Sequence, residues 1–259
     1  MKKIISLISQ KGGVGKTTVT ATLAAAMAAD GFRVLLLDMN DQGDLSDTMA
    51  AQTDGDGVLE LLEGKPALQM IQKTNILRVD IITGGERLAM IESRIKEQGR
   101  GRALLLREAL RPVRRLYQYC IIDAPGTFGS GMLNALGASD SVIIPAQPDF
   151  YSIKGINRII KNIRYVQSEI NPALRVDGIL LNRYQGRRNL TRDITEVLQE
   201  AEKALGCCLF QAKIRENSKI AEAPGRRDVI LHYAPNSIGA EDFRAFYAEY
   251  MEKIRGTKQ

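Results

Sequence analysis

The chain has 259 residues, with 36 Lys and Arg against 30 Asp and Glu, which gives a formal charge of +6. Apolar residues make up 44% and charged residues 25%, the balance of a folded globular protein rather than a disordered chain. The longest apolar run, Leu23–Ala29, is far short of the roughly 20 residues that span a bilayer, and Cys120, Cys207 and Cys208 lack the count and spacing of a disulfide scaffold or a four-thiolate zinc site.

The N-terminus is basic, but Gln10 and Lys11 interrupt its apolar stretch, so it does not read as a signal peptide. An apolar run predicts the first strand at Lys3–Ser9. It leads through a glycine-rich segment into a helix predicted over Lys16–Ala29. Strands are predicted at Arg33–Asp38 and Ile76–Thr83. Between them, in Asp54–Leu68, Gly55, Gly57, Gly64 and Pro66 break any periodicity. A helix over Gly101–Leu110 precedes strands at Tyr119–Asp123 and Ser141–Ala146. Then come a helix over Ser152–Ser168, a strand at Arg175–Leu181 and a helix over Leu190–Leu205. A strand at Cys207–Gln211 and a helix over Ala240–Ile254 close the chain. Val229-Ile230-Leu231 is also strand-like, and His232, the one histidine, follows it. Repeated strand–helix alternation without a linker or repeat predicts an α/β fold. The expected form is a single domain with a mostly parallel twisted sheet, helices on both faces and right-handed crossovers.

The segment Gly12-Gly13-Val14-Gly15-Lys16-Thr17-Thr18 lies between a predicted strand and the helix it opens, which is the setting of a phosphate loop. Glycines there let successive N–H groups point at phosphate oxygens, and the helix N-terminus adds positive potential. Lys16 is positioned to neutralise β- and γ-phosphates, and the Thr17 hydroxyl to complete a Mg²⁺ shell. Asp38 and Asp123 each end an apolar strand. A lone carboxylate at such a place is costly unless it faces a metal or its water.

With Lys11 ahead of it, the loop resembles the variant phosphate loop of the ParA/MinD family of dimeric P-loop ATPases. The segments Leu35–Asp44, Ile121–Gly126, Asp140–Gln147, Glu222-Ala223-Pro224 and Gly239-Ala240-Glu241 extend the resemblance along nearly the whole chain, closest to the ParA/Soj branch. The resemblance implies a P-loop NTPase fold of the SIMIBI-like kind and a homodimer with ATP and Mg²⁺ sandwiched between subunits. In that arrangement Lys11 reaches the partner's nucleotide. Asp38 supports the Mg²⁺ shell from a first switch, and Gly126 belongs to a second switch that senses the γ-phosphate. Asn182 and Asn217 match adenine-contacting positions, although Arg215-Glu216 replaces the Pro-Arg expected before Asn217. The family pattern also has an aspartate two residues after Asp38 to orient the attacking water. This chain has Asn40 there, with Asp41 next to it, and an amide cannot accept the water's proton. ATP binding with slow or partner-stimulated hydrolysis is therefore expected.

Charge is uneven. Residues 1–60 hold 5 basic and 8 acidic residues, whereas residues 154–227 hold 15 basic and 8 acidic, which suggests an anionic partner for the second half. Arg187, Arg188 and Lys219 match the patch with which ParA dimers bind double-stranded DNA without sequence preference. The resemblance implies a nucleoid-associated cytoplasmic protein with a ParB-like partner and no membrane contact. The arginine tract Arg100–Arg115 has no counterpart in the resemblance. A MinD-like positioning ATPase is the alternative, but it needs a basic amphipathic tail, and only Lys253, Arg255 and Lys258 follow the last apolar stripe. An electron-donor or cluster scaffold of the same fold needs paired interface cysteines, which Cys207-Cys208 does not provide.

Overall fold

The computed structural model describes residues 1–53, 55, 57–97, 103–185 and 192–256. Among them, eight strands form one sheet: β1 (Lys3–Leu7), β2 (Val34–Asp38), β3 (Gln72–Lys73), β4 (Val79–Ile82), β5 (Tyr119–Asp123), β6 (Ser141–Ala146), β7 (Arg175–Tyr184) and β8 (Ile214–Arg215). Their spatial order is β3-β4-β2-β5-β1-β6-β7-β8, and every pairing is parallel except β3 with β4. All residues of β2, β5 and β6 are buried, as expected of parallel strands covered on both faces.

The helices are α1 (Lys16–Ala29), α2 (Asp44–Thr48), α3 (Val58–Leu62), α4 (Ala67–Met70), α5 (Ile91–Glu97), α6 (Leu105–Ala109), α7 (Ser130–Ala138), α8 (Phe150–Glu169), α9 (Arg192–Leu205), α10 (Ser218–Glu222), α11 (Ile230–Tyr233) and α12 (Ile238–Gly256). Strand side chains alternate between two cores. Leu35, Leu37, Cys120 and Ile122 pack under α7, α8 and α9 with Met132, Ile159, Ile163 and Leu198. Leu36 and Ile121 face the opposite layer, where α1 and α12 contribute Val19, Leu23, Met27, Phe243, Phe246 and Tyr250. No helix among the described residues is long and apolar enough to cross a membrane.

Several stretches differ from what the sequence pattern suggests. Asp54–Leu68 does contain a helix, α3, and all five of its residues are buried. It is too short to show a period. The Glu60 carboxylate holds it at its start by accepting the Gly57 N–H at 2.8 Å. Cys207–Gln211 is not a strand, for only an Ile179–Leu209 bridge joins it to the sheet. Side-chain carboxylates satisfy its backbone instead: Glu202 accepts the Leu209 N–H at 2.5 Å, and Glu249 accepts those of Gln211 and Ala212 at 2.8 Å. The last strand is β8. Val229–Leu231 runs into the single turn of α11, where His232 Nδ1 lies 3.3 Å from Asp228. Of the helix expected over Gly101–Leu110, Leu105–Ala109 forms α6, while Gly101 and Arg102 lie outside the described residues. Cys120 is fully buried, and burial pushes its thiol far above the usual range, so it is inert.

Candidate functional site

The carboxyl ends of the parallel strands converge on the loop between β1 and α1. Gly13 and Gly15 adopt left-handed φ of 75° and 85°, which a side chain would strain. A Cβ on Gly15 would also stand 2.2 Å from Asn182 Nδ2, whereas Gly12 and Gly13 have nothing within 4 Å of that position. The loop therefore offers an open backbone face at Gly12 and Gly13 and is packed behind. Val14 is buried, and its carbonyl accepts from Asn182 Nδ2 at 2.7 Å, tying the loop to the end of β7.

Behind the loop stand two buried carboxylates. Asp38 and Asp123 are the last residues of β2 and β5 and face each other in register. Lys16 Nζ lies 2.5 Å from Asp123 Oδ1, and the Thr17 hydroxyl donates to Oδ2 at 2.7 Å, so the first two residues of α1 grip both oxygens. Asp38 accepts from the Ser46 N–H at 3.0 Å, the Ser46 hydroxyl at 2.8 Å and the Asn40 N–H at 3.1 Å. Its carboxyl is nonetheless raised to about 6, first by burial and then by the charge of Asp123. Asn40 turns inward, its Nδ2 3.2 Å from the Asp123 carbonyl and 3.4 Å from Asp38 Oδ1. Asp41 is exposed. The displaced carboxylate thus points away from the site that Asn40 faces.

Lys11 is held within its own chain, with Nζ 2.8 Å from Asp149 Oδ2 and 3.2 Å from Gln147 Oε1. Gln147 in turn donates to the Gly13 carbonyl at 2.9 Å. On the other side of the loop lies a cavity of about 580 Å³, lined by Gly13, Gly15, Thr18, Asn182, Arg215 and Asn217 among others. Asn217 caps α10 by accepting the Lys219 N–H at 2.8 Å. Gly126 follows β5 by three residues and opens on a separate cavity of about 460 Å³ with Gln10, Phe128, Arg158 and Lys161.

Three cations of the basic second half are paired within the chain. Arg215 grips Asp242, with its closest contact at 2.6 Å, and also reaches Glu241 at 3.2 Å; these carboxylates raise its pKa. Arg183 pairs with Glu216 at 3.1 Å. Lys219 pairs with Glu222 at 2.8 Å, and Tyr233 donates to the same carboxylate oxygen. Arg187 and Arg188, like Arg100 and Arg102 of the arginine tract, lie outside the described residues. Residue-by-residue reading missed Ser46, Asp149 and the two acids on Arg215. Only the Lys219–Glu222 pair, three residues apart on one helix, had a readable spacing.

The residues fit a magnesium nucleotide. The glycine face is open, and a cavity within the usual range for small ligands adjoins it. Mg²⁺ prefers a few hard oxygens and takes the rest of its shell from phosphates and water. Thr17, Asp38 and Asp123 are such donors, and no cluster of three or more metal-binding side chains occurs among the described residues.

Comparison with known proteins agrees. A family model described as an AAA domain matches residues 2–176. The sporulation initiation inhibitor protein Soj of Bacillus subtilis is 34% identical over 244 residues, which covers 93% of this chain and 95% of that protein. The chromosome partitioning protein ParA of Myxococcus xanthus is 33% identical over 254 residues, covering 97% and 88%. Among solved structures, cobyrinic acid a,c-diamide synthase from Mycobacterium smegmatis, with bound ATP analog and magnesium, superposes with a TM-score of 0.81 at 27% identity, covering 96% of this chain and 93% of that one. The septum site-determining protein MinD from Pyrococcus horikoshii, complexed with Mg-ADP, shares the fold at a TM-score of 0.78 and 24% identity, covering 100% and 99%.

Proposed function

The chain belongs to the ParA/Soj-type partition ATPases, and from that premise we propose that it is an ATP-driven dimerisation switch that holds duplex DNA without sequence preference. The observation that carries this reading is the grip of Lys16 and Thr17 on Asp123 beneath an open glycine loop. A lysine and a hydroxyl already aimed at one point need only exchange a carboxylate for phosphate and metal.

With ATP as substrate, the N–H groups of Gly12, Gly13, Val14 and Gly15 would take the phosphate oxygens, and Lys16 would turn from Asp123 to the β- and γ-phosphates. Thr17 and Asp123, backed by Asp38, would hold Mg²⁺, which when bound supplies positive charge against the phosphates. Thr18, Asn182 and Asn217 line the cavity suited to the nucleoside. Lys11 would leave Asp149 and Gln147 for the partner subunit's nucleotide, where a second cation stabilises charge that grows in the transition state. Gly126 would report the γ-phosphate through its backbone.

Hydrolysis is slow by construction in this reading. Asn40 can orient a water through its amide oxygen but cannot take a proton, and its Nδ2 is committed to the Asp123 carbonyl. A ParB-like partner would supply the stimulation. Duplex DNA would meet Lys219, Arg187 and Arg188 on the dimer, with affinity falling steeply as salt rises.

The test is binding to a labelled duplex of arbitrary sequence with ATP, ADP or no nucleotide. Tighter binding with ATP, weakened by salt, is expected. Identical binding under all three conditions would overturn the switch.

A further inference from the structure

The amino ends of the strands, opposite the nucleotide site, collect cations that are far apart in the sequence. Backbone hydrogen bonds link this edge across the sheet. The Arg78 carbonyl accepts from Val34, that of Arg33 from Gln118, and that of Gln118 from Lys2. The Ile4 carbonyl accepts from Asp140, and that of Asp140 from Arg175. Lys2, Arg33, Arg78 and Arg175 therefore stand at the starts of β1, β2, β4 and β7. Arg115 precedes β5, and Arg255, on the last turn of α12, shares a cavity of about 400 Å³ with Lys2 and Arg175. All six are exposed, and none forms an ion pair among the described residues.

The edge also carries acids, and most are engaged, among them Asp80 at the start of β4, which holds Lys73 at 2.9 Å. Asp140 accepts the Ile4 N–H at 2.7 Å, Asp30 the Tyr247 hydroxyl at 2.6 Å, and Asp177 holds Lys3 at 2.7 Å. Glu169 and Glu252 sit near helix ends. Complementing helix carbonyl ends accounts for part of this charge, since Arg255 lies in the last turn of α12 and Arg78 Nη1 sits against Gly31 just past α1. The helices α1, α7 and α8 carry no basic residue in their last turns, and five of the six cations belong to the segments that enter strands.

Strands lie about 4.8 Å apart, so the row from β4 to β7 is about 24 Å long. One strand of a duplex carries a phosphate every ~3.4 Å along the axis, so the row can follow about seven base pairs. Exposed apolar side chains within it are single leucines, Leu77 and Leu116, not the contiguous face that inserts into a bilayer.

We propose that this edge is a second duplex-DNA surface, engaged through phosphates alone and independently of bound nucleotide. It deepens the DNA-binding reading above and rests on it for the choice of polyanion. A dimer using both ends could hold two DNA segments.

The experiment uses the full chain, a labelled duplex of arbitrary sequence, and ATP, ADP or no nucleotide, at about 50 to 200 mM salt. The proteins are the unaltered chain and a triple variant (Arg33→Gln, Arg78→Gln, Arg175→Gln). Retained ATP binding verifies that the triple variant is folded. The unaltered chain is expected to bind without ATP. The triple variant should bind about tenfold more weakly or worse, with the slope of log affinity against log salt reduced by about 3. No binding by the unaltered chain without ATP, or equal binding by the triple variant, overturns the proposal. So does binding to phosphatidylserine vesicles, lost in the triple variant, when DNA is not bound. Loss of the ATP-stimulated increment alone would count against the partition reading and leave this edge standing.

Discussion

The two ends of the sheet handle positive charge in opposite ways. At the carboxyl ends the key cations are restrained by carboxylates of the same chain: Lys16 by Asp123, Lys11 by Asp149, Arg215 by Asp242 and Lys219 by Glu222. At the amino ends Lys2, Arg33, Arg78 and Arg175 have no acidic partner among the described residues. A cation held by a carboxylate can be released when a stronger anion arrives, so its charge is conditional. An unpaired surface cation presents its charge at all times. The difference teaches that net charge by segment is a poor guide to where an anion binds. The basic stretch 154–227 is partly neutralised in place, while the near-neutral remainder supplies five of the six cations of the open edge.

The comparison can be broken most forcefully at Lys16. Lys16→Ala should lower phosphate release by about a hundredfold or more. It should also destabilise the nucleotide-free protein by roughly 3–5 kcal/mol in urea unfolding, because it strands the buried Asp123. Normal turnover would remove the phosphate-loop reading.

A second test addresses the buried acid pair in metal-free protein. The folded pKa of Asp38, about 6, lies above its ordinary value of 3.8. The favourable state is the protonated one, intact below about pH 4 and lost as pH rises through about 6, at a cost of about 3 kcal/mol above that. Asp38→Asn should therefore be more stable than the unaltered chain at pH 7 by up to about 3 kcal/mol, with the gap closing near pH 4. Equal differences at both pH values would contradict this, and so would a destabilised variant at pH 7. The same variant should lose stabilisation by magnesium nucleotide.

Asn40→Asp sharpens the account of turnover. A carboxylate at this position should raise phosphate release by about tenfold. It should also cost the nucleotide-free protein about 1–2 kcal/mol, since it would face Asp38 and the Asp123 carbonyl, where the amide now donates. An unchanged or slower rate would sink the idea that Asn40 limits hydrolysis. The smallest effect belongs to Glu222→Gln. Freeing Lys219 should tighten ATP-dependent DNA binding by about two- to threefold, equivalent to the modest worth of an exposed pair. Weaker binding would show that Glu222 positions Lys219 rather than masking it.

Much of this molecule is legible in the sequence because its signals are local. The runs that form β5 and β6 and the helix α1 have the residue bounds expected of them. The glycine loop is readable because its φ values exclude side chains. What escapes is short or assembled at a distance. The five buried residues of α3 show no period, and the Cys207–Gln211 run resembles a strand until Glu202 and Glu249 take its N–H groups. Asp242 is 27 residues from Arg215, and no spacing rule joins them. The cationic edge draws on residues from 2 to 255, and only the parallel topology brings them together.

The central claim is that ATP draws cations at the carboxyl ends away from their own carboxylates, and Lys11 tests it most directly. Sedimentation velocity with a non-hydrolysable ATP analogue and Mg²⁺ should show the unaltered chain as a dimer. Lys11→Ala should bind the analogue and stay a monomer. If Lys11→Ala dimerises to the same extent, Lys11 does not leave Asp149 for a partner's nucleotide, and the conditional-charge account of this end of the sheet fails.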